Sequence, residues 1–264
     1  ILRVKIEKNI ITTVFILITN NLTSIIDPLK SRCLCIRNSL KKEKVLNEKL
    51  EGIYDSKIIE VFDSQMKDLQ AFLFPHDILI NQIIKTKKFK SYLEIGCQSD
   101  VNFSKILIDN KVGVDPQTGG TIRMTSDDFF LQNKDTYDFI FIDGLHIHEQ
   151  VLKDIDNSLN VLNDGGVILL HDCLPAKIWH QTIPQTHSSW NGDVWKSIVQ
   201  SRTRADIDTY TIKADQGLGL ILKRKNKDLL VHPIENFKNL KFKDYYDHHD
   251  KFMRLIDENK VLDI

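Results

Sequence analysis

Five polar residues in this chain stand where short apolar runs stop. They are Glu94 in SYLEIG, Asp115 in KVGVDP, Asp143 in DFIFIDG, and the pair His171 and Asp172 in GGVILLHD. Each residue type suits a definite task. A carboxylate at the end of the second strand of a nucleotide-binding sheet can accept both hydroxyls of a ribose, so Asp115 fits an adenosine-bearing ligand. Imidazole titrates at roughly 6.5, so His146 or His171 can take a proton from a substrate hydroxyl while Asp143 or Asp172 orients the ring. Gly96, lacking a Cβ, lets the backbone approach a ligand closely. A dinucleotide would also need a Gly-x-Gly-x-x-Gly cradle for its pyrophosphate. Cys97, Gln98, Ser99 and Asp100 follow Gly96 instead, which counts against NAD.

The elements that must position these groups follow from the apolar runs. Ile, Leu, Val and Phe without polar alternation suit parallel strands buried on both faces, with helix-length segments between them. In such sheets a ligand lies outside the carboxyl ends of the strands, so the five polar residues should converge on one crevice. Helices are expected at 63–71, 75–88, 101–109, 127–133, 148–162 and 191–201, the last with Asn191 as its cap. A short strand is expected at 121–125. Ser126 reads as a cap for the helix behind it, where Asp127 and Asp128 suit the helix dipole. Asp208–Ala214 and Gly219–Lys225, around Asp215, Gln216 and Gly217, read as a hairpin. The loop from Asp172 to Trp190 reads as a lid or substrate wall, with Trp190 its aromatic candidate and Trp195 assigned to the core. His146 and His148 share a face only on a strand; if His148 opens a helix they diverge.

With 36 basic and 36 acidic residues, no global field recruits nucleic acid or anionic lipid, and 42% hydrophobic content is ordinary for a globular chain. Four cysteines fit neither a zinc ribbon nor a disulfide framework, so a reducing cytoplasm is the expected compartment. The apolar stretch 10–18 is too short to span a bilayer.

SYLEIG, VGVDP, MTSDDFF, FIFIDGLH, GGVILLHD and NGDVWKSI, in that order, resemble the class I S-adenosylmethionine-dependent methyltransferases, in particular small-molecule and sugar O-methyltransferases, over about residues 74–225. The resemblance implies an α/β, Rossmann-like, doubly wound and mostly parallel sheet with a C-terminal antiparallel hairpin. It implies S-adenosylmethionine as cofactor, held by Glu94, Gly96, Asp115, Ser126, Asp127 and Asp143, with Asp127 at the adenine edge. S-adenosylmethionine has no phosphate, so the missing glycines weigh less against it than against NAD. Methyl transfer would go to an oxygen of a small acceptor, a sugar among the classes, with Asp143, His146, His171 and Asp172 as catalytic residues. Catechol-type relatives hold a divalent cation at the ends of the fourth and fifth strands, which here gives Asp143, His171 and Asp172 as ligands for Mg or Mn. An imidazole in that set shifts preference from Mg toward Mn, Fe or Zn. A metal-free base and a cation-assisted route both stay open.

FILITNNLTSIIDPLKSRCLCIR resembles the sensor-1 strand and SRC motif of AAA+ clamp-loader small subunits. That likeness makes Asn20 or Asn21 the sensor residue and Arg32 an arginine finger for a neighbouring subunit. No phosphate loop accompanies it, so it cannot hydrolyse ATP alone. The expected organisation is a clamp-loader-like fragment over 1–50, a linker over 51–63, a methyltransferase domain over 64–225 and a helical extension over 226–264. A small-molecule acceptor is the expected partner, with no membrane and no nucleic acid for the methyltransferase domain, and oligomerisation is left open. The alternatives are a clamp-loader-like component carrying a passenger domain, or a binding protein that keeps the crevice without turnover.

Overall fold

The computed structural model describes residues 74–186 and 188–264; the expectations placed on 1–73, the clamp-loader-like segment among them, lie outside the described residues. The chain enters through helix α1 (His76–Lys87). Strands β1 (Tyr92–Ile95) and β2 (Lys111–Val114) come next. Helix α2 (Ser126–Gln132), strand β3 (Tyr137–Ile142), helix α3 (His148–Val161) and strand β4 (Leu162–Leu170) follow. Helix α4 (Trp195–Arg202), strands β5 (Asp208–Ile212) and β6 (Leu218–Leu222), helix α5 (Phe242–Met253) and strand β7 (Leu255–Ile256) complete it.

The strands form one seven-stranded sheet in the order β2-β1-β3-β4-β6-β5-β7. Strands β2, β1, β3 and β4 are parallel, β6 runs antiparallel to both β4 and β5, and β7 is parallel to β5. This is the doubly wound α/β architecture with an antiparallel hairpin that the sequence implies. The buried runs explain it. Alternate strand residues point to opposite faces, and both faces are covered. Leu93, Ile95, Ile140, Ile142, Ile168 and Leu170 pack with Phe129 of α2, Ile155 of α3, Trp195 of α4 and Tyr245 of α5. Tyr92, Phe139, Phe141 and Leu169 pack on the other face against Leu79, Ile80 and Ile83 of α1. Each fully buried side chain of this size contributes about 1.5–3 kcal/mol relative to exposure.

Several expected elements changed. The segment 101–109 is not an α-helix; only a 3-10 turn at Phe103–Lys105 forms. Side chains have taken its polar groups. Asn81 accepts from the Leu107 N–H and donates to the Lys105 carbonyl, while Lys111 Nζ donates to the carbonyls of Phe103 and Ile106. The expected strand at 121–125 is reduced to a bridge between Val114 and Ile122. Helix α4 starts at Trp195 rather than Asn191, because the Asn191 side chain is spent elsewhere. The extension beyond 226 shares the main core through Phe242, Tyr245, Phe252 and Met253, and adds the sheet's edge strand before a closing 3-10 turn at Glu258–Asp263.

Candidate active site

Sheet register decides what meets what. Ile95 pairs with Val114 on one side and with Ile142 on the other, and Ile142 pairs with Leu170. The next residue along each strand, Asp115, Gly96, Asp143 and His171, therefore lies in one row along the carboxyl edge. The chain leaves β1 toward β2 on one side and reaches β3 on the other, so the row straddles the point where strand order reverses, the usual ligand crevice of such sheets.

Gly96 has φ +89°, and a Cβ on it would stand 2.1 Å from the Asp143 carbonyl oxygen. Only glycine permits that approach of β1 to β3. Asp115 is anchored by backbone N–H groups: Gln98 donates to Oδ2 at 2.9 Å, and Gln117 and Thr118 donate to Oδ1 at 2.8 Å each. Burial alone would raise its carboxyl, but these three donors and Arg123 hold it below its usual range. The group is thus a fixed, ionised acceptor, and Oδ2 has a lone pair to spare beyond the Gln98 bond, which fits a ribose hydroxyl.

Glu94 is placed differently. It is 1% exposed, and its Oε2 accepts from the Tyr92 hydroxyl and from Asn102 Nδ2, the latter at 2.7 Å. Burial lifts its pKa to about 7. Its carboxylate is closed within the protein, under the row rather than on it. Ser126 does not cap α2; Thr125 does, its Oγ1 accepting the Asp128 N–H at 3.1 Å. Gln150 Nε2 instead gathers Ser126 Oγ at 3.2 Å and Asp127 Oδ1 at 2.9 Å, and Lys153 Nζ lies 3.4 Å from Asp127 Oδ2. Gln150 and then Lys153 lower the Asp127 carboxyl.

Asp143, His146, His171 and Asp172 do converge. His146 Nε2 lies 3.3 Å from Asp143 Oδ1, and its Nδ1 lies 3.2 Å from Asp172 Oδ2 and 3.2 Å from the Trp190 carbonyl oxygen, so Nδ1 carries a proton. The Trp190 indole stacks on the His146 ring at 5.2 Å and 20°, and donates from Nε1 to the Thr182 carbonyl at 2.7 Å. His171 Nδ1 lies 3.3 Å from Asp143 Oδ1 and 3.2 Å from Asp172 Oδ2. Asn191 Nδ2 donates to Asp172 Oδ1 at 2.7 Å, which is why it caps no helix. Burial opposes charge on both rings, yet Asp143 and Asp172 raise His146 and lift His171 well above the ordinary histidine range. In return, against its burial, Asp143 is held well below the carboxylate range by His171 and His146. His148 opens α3 and turns away, its Nε2 meeting Gln200 Oε1 at 3.1 Å.

The expected cation set Asp143, His171 and Asp172 is brought together, but with an imidazole nitrogen placed between the two carboxylates. Mg prefers oxygen donors in near-octahedral order, and an imidazole at the centre of the set does not fit it. Two site residues escaped the sequence reading altogether. His76, the first residue of α1, contacts Asp215 through Nδ1, and Asp215 Oδ1 stands 3.7 Å from His171 Nε2. The hairpin around Asp215 was legible, but nothing in the spacing tied it to His76.

Residues 103–173 match the family model described as "Methyltransferase domain". No curated protein matches the chain. Among solved structures, the chain is similar to an O-methyltransferase from Bacillus cereus in complex with SAH, at 12% identity over 68% of this chain and 97% of that one, TM-score 0.43. It is similar to the O-methyltransferase TomG from Streptomyces achromogenes in complex with SAM, at 12% identity, 70% and 100% coverage, TM-score 0.44. It is also similar to the SAH-bound methyltransferase PaMTH1 from Podospora anserina, at 13% identity, 73% and 100% coverage, TM-score 0.45.

Proposed function

We propose that the protein transfers a methyl group from S-adenosylmethionine to a hydroxyl oxygen of a small acceptor, with sugars among the classes to try. The observation that carries this reading is the row Asp115, Gly96, Asp143 and His171 along one edge at the strand-order reversal, inside or beside the stretch that matches a methyltransferase domain.

The cofactor supplies an electrophilic sulfonium methyl. Asp115 would accept the ribose hydroxyls, and Asp127, in the stretch before β3, would meet the adenine edge. His146 would receive the acceptor's proton. Its Nδ1–H is fixed by Trp190 and Asp172, so Nε2 is the atom that exchanges a proton, and Asp143 beside it balances the charge that develops on the ring. Trp190 would cover that ring and exclude water. Asp172 and His171 would hold Asp143 and His146 in place. Aligning two bound reactants contributes roughly 7–11 kcal/mol to such a transfer, so the chain's main task is positioning.

Thermal unfolding with S-adenosylmethionine, S-adenosylhomocysteine, NAD and ATP tests the reading. A ligand specific to the folded state, at 100 times its dissociation constant, adds about 2.7 kcal/mol. Stabilisation by the first two alone is expected; stabilisation by NAD or ATP alone would overturn it.

A further inference from the structure

We propose that His76, His171 and Asp215 form a binding site for a divalent cation of borderline softness, of the zinc, cobalt and nickel class. Three separate elements meet there: the start of α1, the residue after β4, and the turn between β5 and β6. One donor atom from each residue lies within 4.8 Å of the other two.

The second, independent observation is the state of His171. Its side chain is 10% exposed, and its Nε2 is buried with no hydrogen-bond partner. Asp215 Oδ1 is 3.7 Å away, beyond hydrogen-bonding range. The other ring nitrogen, Nδ1, is committed to Asp143 and Asp172 at 3.3 and 3.2 Å. A histidine that ligates a metal through one nitrogen almost always gives its other N–H to a carboxylate, which fixes the ring and raises its basicity. His171 has that arrangement already, with Nε2 aimed at His76 and Asp215, and a cation there takes the place of the proton on that atom.

The remaining donors are held as firmly. The His76 ring stacks on Phe141 of β3 at 5.3 Å and 18°, and its centroid is 4.9 Å from that of His171. Asp215, Gln216 and Gly217 all have positive φ, at 35°, 58° and 87°. That turn is pinned to the chain after β4, since the Leu174 N–H donates to the Gln216 carbonyl at 2.8 Å and the Cys173 N–H to the Gly217 carbonyl at 2.9 Å. Asp215 Oδ2 also accepts the His76 backbone N–H at 3.3 Å, a helix-capping role that leaves Oδ1 for the pocket. Two imidazoles and one carboxylate make an N2O donor set, which suits zinc and its neighbours and not Mg or Ca. The set is separate from the group Asp143, His146 and Asp172.

Isothermal titration of the full chain with zinc chloride, and visible absorption after addition of cobalt(II), test the site. One equivalent of zinc is expected to bind, weakened at least tenfold in His76→Gln and in Asp215→Asn, with the cobalt bands lost in both; His146→Gln should bind as the parent does. Circular dichroism confirms that each variant is folded. The proposal is overturned if the parent chain binds neither ion, if folded His76→Gln and Asp215→Asn bind zinc as tightly as the parent, or if only His146→Gln loses it. Stabilisation by S-adenosylmethionine, measured on the same samples, stays the separate test of the cofactor reading.

Discussion

Gly192 lies so close to His146 that a Cβ on it would stand 1.8 Å from the His146 carbonyl oxygen. Its φ of +61° is one that side chains seldom adopt. This glycine locks the loop carrying Asn191 and Asp193 onto the main chain of the candidate base. On one side Asn191 holds Asp172, and on the other the Asp193 carboxylate accepts the His148 N–H at 2.7 Å and so caps α3.

Gly192→Ala should therefore cost roughly 1–2 kcal/mol in backbone strain alone, with more from the displaced His146. For a chain of this size that lowers the melting temperature by about 2–4 °C per kcal/mol. Methyl transfer should fall further than stability does, because the loop and His146 move together. A variant that melts with the parent and keeps full activity would show that the contact is relaxed at no cost.

Asp115→Ala should weaken S-adenosylmethionine binding by at least tenfold, or about 1.4 kcal/mol. It removes the one ionised carboxylate anchored by three backbone donors at the end of β2. Calorimetry reads this directly, and unchanged affinity would remove Asp115 from the ribose role.

For the base, pH gives the sign. His146 has its pKa raised, against burial, by Asp143 and Asp172. A base must be neutral to act, so methyl transfer should rise with pH through a midpoint above the ordinary histidine value. The same raised pKa stabilises the fold below that ordinary value, and this contribution is lost as pH rises through the raised one. Removing a carboxylate with Asp172→Asn should move the activity midpoint downward. A pH–rate profile whose midpoint stays fixed or moves up would exclude His146.

Glu94 makes the opposite kind of prediction, about stability and not turnover. Its carboxyl is lifted by burial from 4.5 to about 7. The folded state thus holds a proton that the unfolded chain releases, so the contribution of Glu94 to stability is most favourable below pH 4.5 and is lost as pH rises toward 7. The span corresponds to about 3 kcal/mol. Glu94→Gln should flatten that slope in denaturant titrations. An unchanged slope would mean that Glu94 is ionised in the fold.

Much of the framework was legible because buried parallel strands and amphipathic helices are local patterns. The runs ending at Asp115, Asp143 and His171 became β2, β3 and β4, and α1 and α3 match their expected spans to within a residue or two. The failures share one cause. Asn191 reads as a cap on its own backbone, whereas in the fold it bonds Asp172, and Asn102 and Asn81 likewise reach distant groups: Glu94 and the 105–107 main chain.

By itself the sequence determined strands β1 to β6, their chain order and the three polar residues at the ends of β3 and β4, because hydrophobic periodicity and chain order need no partner to be read. Tertiary structure alone decided that Glu94 is buried under the row, that Thr125 and not Ser126 caps α2, and that His76 and Asp215 meet His171. Those facts depend on which side chain reaches across space to a given donor or acceptor, and hydrogen bonds and ion pairs of that reach leave no period in the chain.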